Sequence, residues 1–229
     1  MSWMADRIAE LRESIAESAR KAGRNPNEIR FMGVTKNQDR PLVEEALQNG
    51  LALFGENRVQ EAEKKYAELS GDFELHLIGH LQRNKAKKVP GLFSWVESID
   101  SPRTVQALEK AAAEAQRELS ILVEVNISGE QQKYGVTEPG EIEAILDVVE
   151  ECSFLEARGL MGIAPWVGEE GRIRASFAGL RERFEQLRST RGERFDTLSM
   201  GMSGDYEIGV EEGSNLVRIG TALFGSRGY

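Results

Sequence analysis

Residues 121–161, ILVEVNISGEQQKYGVTEPGEIEAILDVVEECSFLEARGLM, decide the fold. The stretch opens on ILVEV, five residues rich in β-branched side chains, which predicts a strand at 121–125. A helix from about 139 to 150 follows, and a second strand at roughly 156–161 completes the unit. Strand, helix and strand in that order form a βαβ unit, which implies parallel pairing.

The alternation continues on both sides. At the N-terminal end Ile8, Leu11 and Ile15 recur at helical spacing, and Gly23 with Pro26 ends that helix. Strands are predicted at 29–35, 51–54, 74–78 and 94–98. Helices fall between them at about 42–49 and 58–69, with a basic one at about 81–89. A further helix starts near Pro102, a residue suited to a first helical turn, and carries Val105, Leu108, Ala112 and Ala115. Downstream, Ile173, Phe177, Leu180, Phe184 and Leu187 give the best periodicity in the chain. Strands at 197–200 and 216–219 then bracket a helix ending near 212. Eight strands separated by helices predict an α/β protein, a single (β/α)8 TIM barrel spanning residues 1–229 with an additional N-terminal helix. That helix is expected to fill the place of a short eighth helix. An open doubly wound sheet is the weaker alternative, because no G-x-G-x-x-G follows the first strand.

The chain has 229 residues, within the range of about 200–250 that such barrels occupy as one domain. Its 29 basic and 38 acidic residues leave a net charge of −9. That balance argues against a nucleic-acid binder and against polybasic attachment to anionic membranes. The longest run without Asp, Glu, Lys or Arg is ten residues, 159–168, half of a membrane span. The N-terminal stretch carries Asp6, Arg7 and Glu10 and no apolar signal core. Cys152 stands alone, so a reducing, cytoplasmic location is expected, and Cys152 reads as a small core residue.

Barrels of this kind carry function where strands end. Lys36 closes the run MGVTK after the first strand. At the mouth a lysine is either desolvated, becoming a neutral amine able to condense with an aldehyde, or snorkels to water. The Gly-rich segments SMGMSG (199–204) and Gly220-Thr221 follow strands seven and eight. They offer amides and the hydroxyls of Ser199, Ser203 and Thr221 to a phosphate, or they simply make tight turns. Arg218, in VRIG, needs a partner: a carboxylate such as Glu56, or a ligand. His76 and His80, the only histidines, span a strand-to-turn junction, and no metal site is expected from them. Lys85–Lys88 reads as a solvated helix face and Trp166 as packing at the rim. Lys133 lies in a polar loop that is either exposed or folded over the mouth.

A lysine after strand one, a phosphate cup after strands seven and eight and an arginine on strand eight together describe a pyridoxal 5′-phosphate (PLP) site. With GVTK, GENRVQE, HLIGHLQRNK, VNISGE followed by Lys133 and Gly135, RGLMGI, LSMGMSGDYE and VRIGTALFG in this order, the sequence resembles the PLP-binding homeostasis proteins of the YggS/PROSC family. Their barrel is similar to the N-terminal domain of bacterial alanine racemase. The resemblance implies Lys36 as the Schiff-base lysine and places the phosphate on Ser199, Gly220 and Thr221. It also implies that Arg218 faces the pyridine nitrogen and that Asn57, His80 and Met200 line the ring pocket. Gln38 stands where many family members carry a second lysine, and four residues separate Lys36 from Pro41.

An arginine at the ring nitrogen keeps it unprotonated and makes the ring a poorer electron sink than a carboxylate would. Racemisation also needs acid–base groups on both faces of a substrate, and the eight strands leave no sequence for a second domain to supply one. The expected role is therefore to hold, buffer or deliver PLP without strong turnover, as a monomer serving PLP-dependent apo-enzymes. A PLP-dependent racemase or lyase of modest activity is the main alternative, and a class I aldolase-like barrel is a further one.

Overall fold

The computed structural model describes residues 2–130, 132–165 and 169–225. Eight parallel strands close into a barrel: β1 Arg30–Val34, β2 Leu53–Glu56, β3 Glu74–Leu77, β4 Trp95–Ile99, β5 Leu119–Val125, β6 Leu155–Gly162, β7 Thr197–Met202 and β8 Leu216–Ile219. Each strand pairs with its sequence neighbour, and β1 closes on β8 with Gly33 opposite Ile219. The helices are α1 Trp3–Lys21, α2 Arg40–Gln48, α3 Val59–Tyr66, α4 Pro102–Ala115, α5 Pro139–Glu150, α6 Glu170–Arg191, α7 Tyr206–Glu211 and α8 Thr221–Phe224. The predicted (β/α)8 barrel is thus the observed one, and the doubly wound alternative falls away.

One expected helix is different. The basic segment at 81–89 folds as a 3-10 helix, Arg83–Lys88, in which only Ala86 is buried. A segment with charged side chains nearly all round has no apolar stripe to drive an α-helix onto the barrel.

Strand side chains alternate between two environments, as a period of two requires. Phe31, Leu75, Val96, Ile121, Leu160, Leu198, Met200, Val217 and Ile219 join the large core between barrel and helices. The other set points inward. Met32, Leu53 and Leu216 form one inner apolar cluster, and Trp95, Leu122 and Met161 form another. Buried polar side chains of His76, Glu97, Glu124, Ser199 and Arg218 accompany them.

Helix α1 buries Met4, Ile8, Leu11, Ile15 and Ala19, and its N-cap Ser2 accepts from the Ala5 amide at 3.2 Å. It packs against α7 and the four-residue α8. The short eighth helix is therefore completed by α1, as the sequence suggests. Cys152 packs half-buried against the core. Among the described residues no helix is long and apolar enough to cross a membrane.

Candidate functional site

The C-terminal ends of β8, β1 and β2 lie side by side. Strand β1 ends at Val34, and a Cβ on Gly220 of the β8 end would lie 3.6 Å from the Val34 Cβ. Thr35 is fully buried, and beyond it the chain turns: the Gln38 amide donates to the Thr35 carbonyl at 3.0 Å. Asn37 takes the left-handed conformation at φ 58, which asparagine tolerates well. Lys36 therefore sits at the corner of a turn on the rim, and it is exposed. Of the two readings of Lys36, desolvated at the mouth or reaching to water, its exposure matches the second, because the chain leaves the sheet before Lys36 rather than after it.

The other wall of this corner comes from β7 and β8. Ser203 lies just past β7, and its Oγ accepts from the amides of Gly220 (3.0 Å) and Ala222 (3.3 Å). Thr221 opens α8 and is exposed. Asp205 closes the β7 turn by accepting from the Met202 amide at 2.6 Å. Burial raises the Asp205 carboxyl above its ordinary value, and Arg218 pulls the other way.

Two of the expected ligands of this corner lie elsewhere. Ser199 is mid-strand and fully buried, where its Oγ accepts from Arg218 Nη1 at 2.6 Å and donates to Glu97 Oε2 at 2.6 Å. With its one proton committed, it has none left for a phosphate, and the hydroxyl level with Gly220 is that of Ser203. Met200, one residue on, belongs to the core shared with the helices. Its side chain thus points away from the barrel axis and does not line a ring pocket there.

Arg218 is buried inside the barrel and partners neither Glu56 nor solvent. Nη2 donates to the Gly162 carbonyl at 2.8 Å, and Nη1 lies 4.0 Å from Glu97 Oε2. Burial lowers its pKa, opposed by Glu97, Asp205 and Glu124. Glu56 is paired by Lys65 of α3, also buried, at 2.5 Å. Glu97 is in turn bound at Oε1 by His76 Nδ1 at 2.5 Å, and His76 Nε2 meets Glu74 at 2.8 Å. Because β4 and β7 are not neighbours, the Glu97–Ser199 bond crosses the barrel interior.

Asn57 follows β2 and is half-buried; His80 follows β3. They border one cleft of about 650 Å³ with Gly79, Lys85 and Tyr134. The His80 ring stacks on Tyr134 at 4.1 Å, and its Nδ1 lies 3.1 Å from Asp100 Oδ2. The segment carrying Tyr134 folds back toward the mouth. Asn126 Nδ2 donates to the carbonyls of Glu130 and Lys133, and Lys133 Nζ reaches Glu130 (2.7 Å) and the Ala164 carbonyl (3.4 Å). Trp166 lies outside the described residues. Among the described residues no group of three His, Cys, Asp or Glu side chains is placed to hold a metal ion. Two larger clefts, of about 970 and 910 Å³, open at the opposite, N-terminal end of the barrel.

Sequence reasoning missed Glu97, Glu124, Lys65 and Tyr134. The first two had a signal: a carboxylate within an apolar strand, as in WVESI and LSILVEV, carries the same cost that singled out Arg218.

The sequence matches the alanine racemase N-terminal domain over residues 8–228. It is 40% identical to the pyridoxal phosphate homeostasis protein of Pseudomonas aeruginosa, covering 100% of this chain and 98% of that protein. It is 36% identical to the protein of that name from Escherichia coli K12, covering 100% and 99%. Among solved structures, PipY of Synechococcus elongatus PCC7942 with PLP bound is 35% identical, with a TM-score of 0.84 over 97% of this chain and 100% of PipY. Alanine racemase of Clostridium difficile shares the fold, with a TM-score of 0.73 at 12% identity over 95% of this chain and 57% of the racemase.

Proposed function

The chain belongs to the pyridoxal phosphate homeostasis proteins, built on the alanine racemase N-terminal barrel, and from that premise we propose that it binds PLP at the barrel mouth through Lys36. The residues at the β1–β8 corner fit such a ligand. They provide a primary amine on Lys36, two amides from Gly220 and Ala222 converging on one oxygen position, the hydroxyls of Ser203 and Thr221, and the buried guanidinium of Arg218. An anionic aldehyde needs this donor set. When bound, PLP supplies an aldehyde that a lysine amine captures and a ring that withdraws electrons from the link.

Lys36 would hold the cofactor covalently, and its exposed position on the rim leaves the link accessible for loading and release. The amides of Gly220 and Ala222, with Ser203 and Thr221, would receive the phosphate, Ser203 giving up the amides it now accepts from. Arg218 would face the ring nitrogen from below. A guanidinium offers only donors, so it supports an unprotonated nitrogen and weak turnover. Asn57 and His80 would flank the ring from the β2 and β3 ends.

The role read from this site is to buffer PLP and hand it to PLP-dependent apo-enzymes in the cytoplasm, the protein acting as a monomer in one barrel domain. The lone Cys152 and the net charge of −9 support the location. Trp3 and Tyr134 are the only exposed large apolar side chains among the described residues, which supports the monomer.

The observation that carries this reading is the convergence of Lys36, the Gly220–Thr221 turn and Arg218 at one end of the barrel. Borohydride reduction of the PLP-treated protein, then peptide mass measurement, is expected to place a pyridoxyl group on Lys36 and none in Lys36→Ala. A protein that stays colourless with PLP, or an adduct confined to another lysine, would sink it. Exchange of amino-acid α-hydrogens in deuterated water is expected to be slow. Rapid exchange lost in Lys36→Ala would favour a racemase or lyase.

A further inference from the structure

We propose that Glu97 and His76 are positioning residues of the cofactor site, acting through Ser199 to hold Arg218 in place and to balance its charge. The inference rests on PLP binding at the β1–β8 corner and deepens it, because neither residue is part of the set that would touch the cofactor.

An unbroken chain of polar contacts runs through the barrel interior. Arg30 Nη2 meets Glu74 Oε2 at 2.6 Å, and Glu74 Oε1 meets His76 Nε2 at 2.8 Å. His76 Nδ1 meets Glu97 Oε1 at 2.5 Å, Glu97 Oε2 accepts from Ser199 at 2.6 Å, and Ser199 accepts from Arg218 at 2.6 Å. Charges alternate along it: arginine, glutamate, histidine, glutamate, arginine. Arg30 and Glu74 sit at the N-terminal ends of their strands, and Arg30 is exposed, whereas Arg218 lies toward the mouth. The chain therefore connects the solvent-facing bottom of the barrel to the residue beneath the cofactor.

Proton accounting fixes its direction. A serine hydroxyl has one hydrogen, and a guanidinium can only donate. Ser199 must therefore accept from Arg218 and donate to Glu97, whose Oε2 accepts. Both nitrogens of His76 face carboxylates, a setting that favours the ring protonated on both. Burial works against that charge, but Glu74 and Glu97 outweigh it and raise the imidazole pKa. Burial likewise opposes the Glu97 charge, while His76, Arg218 and Ser199 hold its carboxyl below the ordinary range. The His76 ring is fixed in plane by Trp95, stacked at 5.0 Å, with the Arg158 guanidinium 5.4 Å from the same indole.

Arg218 thus depends on Glu97 for both orientation and counter-charge. The other charged groups felt by Arg218 are Glu124 of β5 and Asp205 beyond β7, and neither has a hydrogen bond to it. Removing the Glu97 charge leaves a buried guanidinium whose nearest partner is a neutral serine, which costs binding of a ligand that needs the guanidinium in place.

The test is PLP binding by equilibrium dialysis between pH 6 and 9, with the pH midpoint of the visible band of the loaded protein. Wild type, Glu97→Gln and Ser199→Ala are compared. Glu97→Gln is expected to raise the PLP Kd about tenfold. It should also move the band midpoint to lower pH, because loss of a nearby anion disfavours a bound proton. Ser199→Ala cuts the link without removing either charge and is expected to weaken binding less, with little movement of the midpoint. Either variant folding with wild-type Kd, or weaker binding in Glu97→Gln with an unmoved midpoint, overturns the proposal. A wild-type chain that takes up no PLP overturns the proposed function itself, whereas wild-type uptake with unmoved variants overturns only this inference.

Discussion

Lys65 of α3 reaches back to the end of β1 and donates to the carbonyl of Thr35 at 2.5 Å, one residue before Lys36. The same ammonium pairs with Glu56, whose other partner is the Thr35 hydroxyl at 2.7 Å. A buried ion pair between α3 and the end of β2 therefore sets where the chain turns to present Lys36. Lys65→Met would leave Glu56 charged, buried and short of its counter-ion. The expected loss is about 3–5 kcal/mol of unfolding free energy, read from urea denaturation. The double variant Lys65→Met, Glu56→Gln should recover most of it. Equal losses in single and double variants would show that the pair is not what stabilises this corner.

Gly79 holds the β2 and β3 ends together. A Cβ there would lie 2.3 Å from the Asn57 carbonyl oxygen and 2.8 Å from its Cα, and the Gly79 carbonyl accepts from Ser98 at 2.7 Å. Backbone cannot yield as a side chain can. Gly79→Ala is expected to cost about 1–3 kcal/mol by overpacking. It should also weaken PLP retention, since Asn57 and His80 move apart. Wild-type stability and retention together would show that the loops absorb the methyl group.

Eight strands were legible because each apolar run has its own period and its own bounding turn, as in ILVEV between Arg117 and the polar loop at Asn126. The segment at 81–89 was not, because periodicity cannot tell one short basic turn from another. Lys36, Arg218 and the Gly220–Thr221 turn could be placed at one mouth from their positions after strands. The two phases of β7 are distinct in TLSMGM, with Thr197, Ser199 and Gly201 on one and Leu198, Met200 and Met202 on the other, but only barrel closure decides that the Ser199 phase faces in and the Met200 phase out. The interior network was hidden for a related reason. Glu97 and Ser199 are 102 residues apart and meet only across a closed barrel.

The His80–Tyr134 stack joins the β3 end to the loop after β5, at 4.1 Å and 10° between planes, although Tyr134 is 59% exposed. An aromatic pair contributes about 0.5–1.5 kcal/mol, enough to bias a loop but not the fold. Tyr134→Ala is expected to speed PLP release about threefold to tenfold, followed by transfer to an apo-enzyme trap, with unfolding free energy changed by under about 1 kcal/mol. An unchanged release rate would show that this loop does not limit exit.

Glu124 gives the sharpest dependence on pH. It sits on the inward phase of β5, 7% exposed. Burial pushes its carboxyl from 4.5 up to about 7, with Arg218 opposing and Asp100 and Glu97 adding to the rise. A raised folded pKa means that the folded state keeps a proton the unfolded chain has released. Stability therefore falls as pH rises from about 4.5 to about 7, and the penalty is constant above that. The full loss is about 3 kcal/mol. His76, whose pKa is raised, also loses stabilisation on going alkaline, so wild type alone cannot apportion the fall. The difference between wild type and Glu124→Gln isolates it. Urea denaturation at pH 5, 6, 7 and 8 should show the variant gaining on wild type up to pH 7 and holding that lead at pH 8. Parallel curves would mean that Glu124 titrates like an exposed carboxyl.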